Sequence, residues 1–553
     1  MTNYDVVLIH PPSFYDFRRD FWFTGPIANT VPICTAVFIT FPIGFVSIGS
    51  YLQDQGIKVK IINIAEKMVI DDKFDVEGFL QRLDSNIYAI DLHWAVHSQG
   101  AIKIAEICKR HHPESIVVLG GLTSTYFADE IVSNFPFIDC VVRGEGEEPL
   151  FKLVNNISKL DRTTAFHQTP NLTFIDKEKG VVRTENIKVV GNLDLLNFTR
   201  LKLIEPGTRA LTPPMSKSKL WSLPICRGCT FNCATCGGSS YSYRKLMNRE
   251  YPAFRSPEKL LEDFMMLDEQ RVNSIFLFQD PRLGGRKHVE QLIQVLKKGK
   301  WSHIRSVGFE LFEPADRSFL NYLSENRPAE NILLTISPES GVEDVRRIHG
   351  REYSNEELLR TCRYCRELDI PLGVFFMNGL GAETFDTMKQ GWNLWRKISS
   401  IEKEVKGNHH IFVEFGPMIF LDPGSPAFDY PEKHRYRLRF KRFNDYYQAM
   451  VKSPYWAQWI SYETFDVNTS GQAKMILDSL EKILDLKKES GMITEEECKQ
   501  RKLDVNLERI LASEFDKVMK IEDLAERENR IRELDIISKD PLLSRSYVLT
   551  QGE

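Results

Sequence analysis

Two series of short apolar runs, each followed by a helical segment, constrain the fold of this chain more than any other feature. The first series has runs at 5–10, 59–63, 86–91, 115–120 and 139–143. The second has runs at 221–225, 274–278, 306–311, 332–337, 372–377 and 412–420. Strands separated by helices pair in parallel, because a parallel crossover needs a connection long enough to hold a helix. We therefore predict an α/β protein with an N-terminal doubly wound, Rossmann-like sheet and a second, open sheet of six strand–helix units related to the (β/α) barrel.

The same pattern divides the chain into four predicted regions. They are a Rossmann-like domain at 1–155, a linker with a β-hairpin at 156–215, a partial (β/α)6 barrel at 216–426 and a mostly helical region at 427–553. The hairpin is predicted from strands at 171–175 and 181–184 that flank a turn. In the C-terminal region, 435–452 and 472–489 have helical periodicity, and the charged run 495–539 is interpreted as solvated helix faces.

The composition excludes several classes of function and location. The formal net charge is −4 with both signs interspersed, whereas a nucleic-acid-binding surface is strongly basic. Cysteines scattered through a long chain do not make a secreted disulfide framework, so we expect a reducing, cytoplasmic location. No basic stretch precedes an apolar one at the start of the sequence, so no signal peptide is predicted. The uncharged stretch 21–53 is interrupted by prolines and glycines, which favours a loop and a buried helix starting near Pro42 over a transmembrane segment.

Four cysteines crowd into one loop, directly after the first apolar run of the second series. They are Cys226, Cys229, Cys233 and Cys236, and the last three have the spacing C-x3-C-x2-C. A loop this short does not easily pair its own thiols, but it can surround one inorganic centre, and thiolates suit iron–sulfur clusters and zinc. Structural zinc sites usually combine two C-x2-C pairs across a long spacer, so the spacing here favours a cluster. A four-iron cluster with three protein ligands leaves one iron open for a cofactor or substrate.

The C-x3-C-x2-C loop, followed at once by Gly237 and Gly238, resembles the signature of the radical S-adenosylmethionine (SAM) enzymes. The resemblance implies that the last three cysteines of the loop hold a [4Fe–4S] cluster and that the two glycines lie near the methionine amine of SAM. Thr235 stands where family members often carry an aromatic residue, so the adenine contact must come from elsewhere. Cys226 is extra to the motif and is not predicted to be a ligand.

Other strand ends of the second series resemble the SAM-binding positions of the cobalamin-binding class of radical SAM enzymes. By that resemblance, Glu339 and Ser340 lie near the SAM ribose, and Asp280 faces SAM or the substrate. The alternative for each carboxylate is a helix cap or a salt bridge, which is the commoner role of an acidic residue at a strand end. The segments 379–384 and 422–426 follow the fifth and sixth strands. No further catalytic residue is predicted.

The strand ends of the first series resemble the cobalamin-binding domain that precedes many radical SAM domains. The matching sequences are His10-Pro11-Pro12-Ser13, Pro42-x-Gly44, Gly120-Gly121 and Arg143-Gly144-Glu145-Gly146-Glu147. Ligands of doubly wound sheets bind at the carboxyl ends of the strands, and glycine permits close approach to a large flat ligand. A dinucleotide fingerprint is excluded, because the third glycine is missing and the motif does not follow the first strand. The resemblance implies that cobalamin contacts His10, Pro11, Ser13, Trp94, Gly120, Gly121, Gly144, Glu145 and Gly146.

The loop after the third strand is predicted to form the lower side of the cobalamin site. Many cobalamin proteins supply a cobalt-ligating histidine from an Asp-x-His-x-x-Gly motif after the first strand, and that motif is absent there. In the relatives the loop after the third strand lies under the corrin, and here this loop contains His93, Trp94 and His97. Trp94 either covers the lower corrin face or packs in the ordinary way. His93 and His97 are interpreted as hydrogen-bonded loop residues rather than cobalt ligands.

Together these resemblances cover most of the chain and imply a cobalamin-dependent radical SAM enzyme that works anaerobically with [4Fe–4S], SAM and cobalamin. The implied reaction is C-methylation of an unactivated carbon through a 5′-deoxyadenosyl radical and methylcobalamin. One alternative is radical carbon–carbon bond formation or cyclisation, for example on a lipid, without methyl transfer. Another is a cobalamin- or redox-sensing binding protein. The expected partners are an electron donor such as ferredoxin or flavodoxin and a small-molecule, lipid or peptide substrate, which the sequence does not identify.

The remaining cysteines and aromatic residues are assigned to packing. Cys362 and Cys365 form another C-x2-C, but inside a predicted helix at 355–368 without further ligands nearby, which favours core packing. The same prediction applies to Cys34, Cys108, Cys140 and Cys498. The aromatic segment 455–459 is interpreted as interdomain packing, with the wall of a substrate cavity as the alternative.

Overall fold

The computed structural model describes residues 4–18, 23, 25, 41–185, 188–205, 219–403, 410–418 and 421–539. Two large sheets carry the fold within these residues, which confirms the predicted α/β class. Cys34 and most of the predicted loop before Pro42 lie outside the described residues, as does 206–218 at the end of the predicted linker.

The first sheet contains all five predicted runs of the first series. Its strands are β1 Tyr4–His10, β2 Val59–Asn63, β3 Ser85–Asp91, β4 Ile116–Gly120, β5 Cys140–Val142, β6 Leu172–Asp176, β7 Gly180–Arg183 and β8 Ile204–Glu205. They lie in the order β7-β6-β5-β4-β3-β1-β2-β8. The strands from β5 to β8 in that order are parallel, whereas β6 and β7 are antiparallel additions to the β5 edge. The predicted hairpin therefore extends this sheet rather than standing apart from it.

Burial on both sides of β1 explains why its sequence is a continuous apolar run. Val6 and Leu8 belong to a core that extends into the second sheet, whereas Val7 and Ile9 belong to a core shared with the C-terminal region. Successive side chains of a strand point to opposite faces, so a strand covered on both faces carries no polar alternation.

The second sheet contains the six predicted runs in simple sequence order. The strands that come after β8 are β9 Leu220–Pro224, β10 Cys226–Arg227, β11 Ala253–Phe254, β12 Ser274–Phe278, β13 Ser306–Leu311, β14 Asn331–Glu339, β15 Leu372–Asn378, β16 Ile411–Met418, β17 Tyr436–Leu438 and β18 Tyr462–Thr464. The sheet order is β9-β12-β13-β14-β15-β16, and every neighbouring pair is parallel. The pairs β10–β11 and β17–β18 form small antiparallel ribbons outside it.

Helices cover the sheets and build the C-terminal region. They are α1 Gly44–Asp54, α2 Ile64–Ile70, α3 Val76–Arg82, α4 Ser98–His111, α5 Leu122–Tyr126, α6 Ala128–Asn134, α7 Glu147–Ile157, α8 Arg162–His167, α9 Ser240–Met247, α10 Pro257–Glu269, α11 Arg286–Lys297, α12 Arg317–Glu325, α13 Glu343–Ile348, α14 Asn355–Glu367, α15 Phe385–Lys403, α16 Pro426–Asp429, α17 Phe443–Lys452, α18 Thr469–Glu489, α19 Glu495–Val518 and α20 Leu524–Lys539. Capping residues in the sequence mark where many of these helices begin. The Ser256 side chain accepts from Lys259 N–H, and Pro257 occupies the first helical position.

The helix predicted at 435–452 is wrong over 435–442. Residues Tyr436–Leu438 form β17, and helix α17 begins only at Phe443. Tyr436 is fully buried with its ring 5.1 Å from that of Tyr462 on the paired strand β18, so strand pairing and tertiary packing override the local helical pattern. The charged run 495–539 forms two helices, α19 and α20. Among the described helices none combines the length and apolar character needed to cross a bilayer.

Candidate active site

The cysteine loop lies at the carboxyl end of β9, where sites of (β/α) folds are built. Phe231 N–H donates to Cys229 Sγ at 3.3 Å, and Gly238 N–H donates to Cys236 Sγ at 3.2 Å. Cys229 and Cys233 are partly buried, and Cys236 is exposed. Three thiols in one loop, two of them receiving backbone N–H groups, are the donor set that an iron–sulfur cluster uses, so these residues fit that group.

Cys226 differs from these three cysteines because its side chain is buried. Its Sγ contacts Gly228 O at 3.6 Å, and its N–H donates to Gln279 Oε1 at 3.1 Å. Burial raises the pKa of the Cys226 thiol to about 12. Among the described residues, no three His, Cys, Asp or Glu side chains converge on a point where one metal ion could bind.

Glu339 and Arg351 lie beside Cys233. The Arg351 guanidinium binds Glu339 Oε1 at 2.7 Å, and both side chains are largely buried. Although burial alone would lower it, the pKa of Arg351 is raised by Glu339 and by the Cys233 sulfur. Glu339 also has a φ of 66°, a backbone conformation that non-glycine residues rarely adopt and that is often found at functional sites. The structure therefore brings one predicted SAM residue next to the cysteine loop.

The neighbouring Ser340 and the more distant Asp280 have local partners. Ser340 Oγ accepts from Val342 N–H at 3.1 Å. The Asp280 carboxylate binds the Arg282 guanidinium at 2.6 Å and accepts from Phe312 N–H at 2.8 Å. It also caps the short turn that starts at Pro281. The Asp280 side chain therefore has the capping role that was the alternative to a SAM or substrate contact.

Gly237, at the end of the cysteine loop, contacts residues that follow strands of both sheets. Its N–H donates to Asp422 Oδ2 at 2.9 Å, and a Cβ atom at this position would lie 2.3 Å from Leu122 Cδ2. Leu122 follows Gly121 in the first sheet, at the start of α5. Asp422 N–H in turn donates to Thr235 O at 3.2 Å. The predicted SAM contact thus touches the loop that is predicted to contact cobalamin.

His10 and Asp91 form a buried pair at the carboxyl ends of β1 and β3. His10 Nδ1 and Asp91 Oδ2 are 3.1 Å apart, and His10 is completely buried. Burial alone would raise the pKa of Asp91, but the hydrogen bond and charge of His10, with the charges of His97 and His93, hold it below its usual value. His10 Nε2 has no hydrogen-bond partner among the described residues. An orphaned, fully buried ring nitrogen at this strand end fits a cofactor contact.

The loop after β3 packs closely against the His10–Asp91 pair. The ring of His97 lies 5.2 Å from that of His10, and Trp94 is half-buried with its ring edge-on to His93 at 4.7 Å. His93 N–H donates to Asp91 Oδ1 at 3.1 Å, and its carbonyl accepts from Thr123. Burial lowers the pKa of the His93 ring. The backbone of His93 is thus hydrogen-bonded within the site, and the roles of His93, His97 and Trp94 toward a corrin stay predictions.

The two glycine motifs of the first sheet have different roles. Gly121 has a φ of 112°, and a Cβ there would lie 2.7 Å from the His93 backbone, so the loops after β3 and β4 can meet only if this residue is glycine. Gly144 N–H donates to Thr125 Oγ1 at 3.0 Å. The Glu145 carboxylate accepts from Val190 N–H at 2.8 Å and from Arg249 at 2.6 Å. Its side chain is therefore committed to neighbouring elements, and only its backbone remains a candidate contact for cobalamin.

Three residues of the site were not predicted from the sequence. Two are Asp91, the partner of His10, and Asp422, the partner of Gly237. The third, Glu310, lies on β13, where it accepts from Gln279 N–H at 3.0 Å. Its negative charge acts on both Cys229 and Cys233, and burial raises its own pKa. Glu310 could have been noticed in the sequence because it is the one charged residue of β13.

The other packing predictions agree with the structure. Cys362 and Cys365 lie on α14 with no exposed surface, and the described members Cys108, Cys140 and Cys498 are also buried. Tyr455 and Trp456 are buried, and the Tyr455 ring stacks on Phe515 at 4.6 Å. Phe14, from the loop after β1, packs on Trp459 at 4.6 Å. Trp459 therefore packs against the loop after β1, whereas the Tyr455–Phe515 contact lies inside the C-terminal region.

Two family models match parts of the chain. Residues 30–154 match the B12 binding domain, and residues 223–390 match the radical SAM superfamily. The chain is 25% identical over 297 residues to an anaerobic magnesium-protoporphyrin IX monomethyl ester cyclase of Cereibacter sphaeroides, a match that spans 51% of this chain and 44% of the cyclase. It is 22% identical over 419 residues to the cytidylyl-2-hydroxyethylphosphonate methyltransferase of Streptomyces wedmorensis, across 68% of this chain and 73% of that protein.

The fold is also similar to that of a solved structure. This is the radical S-adenosylmethionine methyltransferase TsrM from Kitasatospora setae, with cobalamin and a [4Fe–4S] cluster bound. The TM-score is 0.57 at 14% sequence identity, over 96% of this chain and 99% of that chain. At this identity the likeness concerns the fold. The chain spans less than half of the length of the cyclase.

Proposed function

Since the chain belongs to the radical SAM superfamily, in the group whose radical SAM domain follows a B12-binding domain, we propose that it methylates an unactivated carbon of its substrate. Its cofactors are a [4Fe–4S] cluster, SAM and cobalamin. The observation that carries the proposal is the contact between Gly237 and Leu122. It brings the end of the cysteine loop against the strand end at Gly120–Gly121, where sheets of this kind bind their ligands.

The chain's own residues hold and orient the cofactors. When bound, the reduced cluster supplies the electron that cleaves SAM, and cobalamin supplies the methyl group. The thiols of Cys229, Cys233 and Cys236 hold the cluster, and the N–H groups of Phe231 and Gly238 stabilise negative charge on two of the sulfurs. The Arg351–Glu339 pair balances charge beside Cys233. Leu122 contributes apolar surface where the end of the cysteine loop meets the first sheet.

The test is anaerobic reconstitution with iron, sulfide and cobalamin, followed by an assay of 5′-deoxyadenosine release from SAM under a low-potential reductant. A ferredoxin or flavodoxin is the expected donor in the cell. We expect release from the unaltered protein, loss of release in Cys233→Ala and retention in the matched variant Cys226→Ala. Retained release in Cys233→Ala would remove the basis of the proposal. No release at all would favour a cobalamin- or redox-sensing binding protein instead.

Radical cyclisation or carbon–carbon bond formation is the second candidate, and the likeness to the cyclase favours it. The two reactions differ in the fate of the methyl group. SAM labelled in its methyl group would leave label in the product of a methylation. A product formed without label, alongside 5′-deoxyadenosine, would identify cyclisation or coupling.

A further inference from the structure

A buried cluster of four charged side chains joins the first sheet to the segment that leads into the cysteine loop. Two members are acidic: Glu145, in the loop after β5, and Glu147, the first residue of α7. The other two are Arg227, on β10 before the cysteine loop, and Arg249, which follows α9. The side chains of Glu145, Glu147 and Arg249 are 8%, 1% and 4% exposed, and that of Arg227 is 16% exposed. We refer to these four residues as the interdomain charge cluster.

Arg227 connects the two sides of this cluster. Its Nη2 lies 2.5 Å from Glu147 Oε1 and donates to Ser47 Oγ on α1 at 3.3 Å, and its Nη1 lies 3.2 Å from Glu145 Oε2. Arg227 immediately follows Cys226 on β10, two residues before Cys229. The contacts of Arg227 with Glu145 and Glu147 therefore hold the backbone only two residues away from Cys229, the first cysteine proposed to bind the cluster.

Arg249 closes the cluster from the other side. Its Nε and Nη2 both donate to Glu145 Oε1, at 2.9 and 2.6 Å, and Nη2 also donates to Val190 O at 2.8 Å. Two guanidinium groups thus face two carboxylates, and the buried charges balance. Removing one member would leave a buried charge without its counterion, which is strongly destabilising, whereas removing one charge of each sign costs less.

Buried ion pairs are weak sources of stability compared with apolar packing, and their best-attested use is to select one arrangement of the parts they join. We propose that the interdomain charge cluster is a positioning device, which holds the cysteine loop at a defined distance from the carboxyl ends of the first sheet. It thereby sets the separation between the SAM site and the cobalamin site. This inference rests on the proposed function for its second part, but the placement itself can be measured without any reaction.

The first measurement is a distance between spin labels on the reconstituted protein. Labels would be placed at Val69→Cys on α2 and Met265→Cys on α10, which are both exposed positions. The described cysteines outside the cysteine loop are buried, and label on the protein without these two substitutions gives the background. We expect a narrow distance distribution in the unaltered protein and a broadened or shifted one in Arg227→Gln. Arg183→Gln, which removes an exposed pair with Asp129 in the first sheet, is the control and should leave the distribution unchanged.

The second measurement compares two reactions of SAM that need no substrate. Release of 5′-deoxyadenosine depends on the cysteine loop, whereas methyl transfer from SAM to protein-bound cob(I)alamin depends on both sites. A displacement of about 1 Å can cost about 100-fold in rate, so we expect methyl transfer to slow by about that factor in Arg227→Gln while 5′-deoxyadenosine release persists. Iron and cobalamin contents should equal those of the unaltered protein.

If Arg227→Gln does not fold, the double variant Glu147→Gln/Arg227→Gln replaces it in both measurements. The double variant removes one charge of each sign and therefore leaves no buried charge without a counterion. Unchanged distance distributions in a folded Arg227→Gln or double variant, together with unchanged methyl transfer, would overturn the inference. If the unaltered protein releases no 5′-deoxyadenosine, the proposed function fails, but the spin-label distances still decide whether the cluster positions the two sheets.

Discussion

At the residue scale, two carboxylates at strand ends of the second sheet have different surroundings. Glu339 is paired with Arg351 beside Cys233, whereas Asp280 is saturated by Arg282 and the Phe312 N–H. The sequence predicts Glu339 near the SAM ribose and Asp280 facing SAM or the substrate, with a helix cap or a salt bridge as the alternative for each. The two carboxylates can be distinguished only by where their partners lie in the structure. Arg351 lies 12 residues from Glu339 and Phe312 lies 32 residues from Asp280, beyond the range of local sequence patterns, whereas Arg282 is only two residues from Asp280.

This difference predicts opposite effects of two substitutions. Glu339→Gln removes charge next to the predicted SAM site, and hydrogen bonds of charged groups contribute about 1.5–3 kcal/mol, so SAM affinity should fall by at least about tenfold. Asp280→Asn should lower thermal stability and leave SAM affinity unchanged. Both effects are measured by SAM titration and calorimetry of the reconstituted protein. Weaker SAM binding in Asp280→Asn alone would reverse the assignment.

At the element scale, the turn from β4 into α5 depends on one glycine. Gly121 has a φ of 112° and lies against the His93 backbone, whereas a Cβ at the adjacent Gly120 would have no atom closer than Val142 O at 4.0 Å. The sequence motif Gly120-Gly121 identifies the turn but does not say which glycine is required. The structure assigns the steric requirement to the second.

Gly121→Ala should therefore destabilise the apo protein by roughly 1–3 kcal/mol through backbone strain and contact with His93. Gly120→Ala is the matched control, with an expected change near zero, because nothing crowds that position. Urea unfolding followed by circular dichroism measures both. Equal destabilisation by the two variants would contradict the assignment of the turn to Gly121.

A second element, the turn between β15 and α15, predicts a pH dependence. Burial raises the pKa of Glu383 from 4.5 to about 7, although Gly379 N–H and the Asn378 side chain bind its carboxylate. Between these pH values the unfolded chain loses a proton that the folded chain retains. The free energy of unfolding should therefore fall by about 3 kcal/mol as the pH rises from 4.5 to 7, and the contribution is complete below 4.5.

Glu383→Gln should remove this part of the pH dependence and be more stable than the unaltered protein above pH 7. Urea unfolding at a series of pH values between 4.5 and 8 measures the difference. An identical pH profile in the two proteins would show that Glu383 is ionised in the folded state.

At the scale of the whole molecule, the fold could be predicted much further than the site. All eleven apolar runs became strands of two sheets, because each run has the length of a strand and is followed by a helical segment. The predicted helix at 435–452 failed where β17 pairs with β18, a contact that local periodicity does not contain. Likewise, the Gly237–Asp422 hydrogen bond spans 185 residues, and the Arg227–Glu145 pair spans 82. The sequence could name the motifs of each sheet but not the contacts that bring them together.

If the two sheet ends work as one site, SAM bound at the second sheet should transfer its methyl group to cobalamin bound at the first, and this transfer can be measured without substrate. The reconstituted protein would be given SAM labelled in its methyl group and cobalamin reduced to cob(I)alamin, without substrate. We expect labelled methylcobalamin on the protein and an equal amount of S-adenosylhomocysteine. Release of 5′-deoxyadenosine with no label on cobalamin would contradict this expectation.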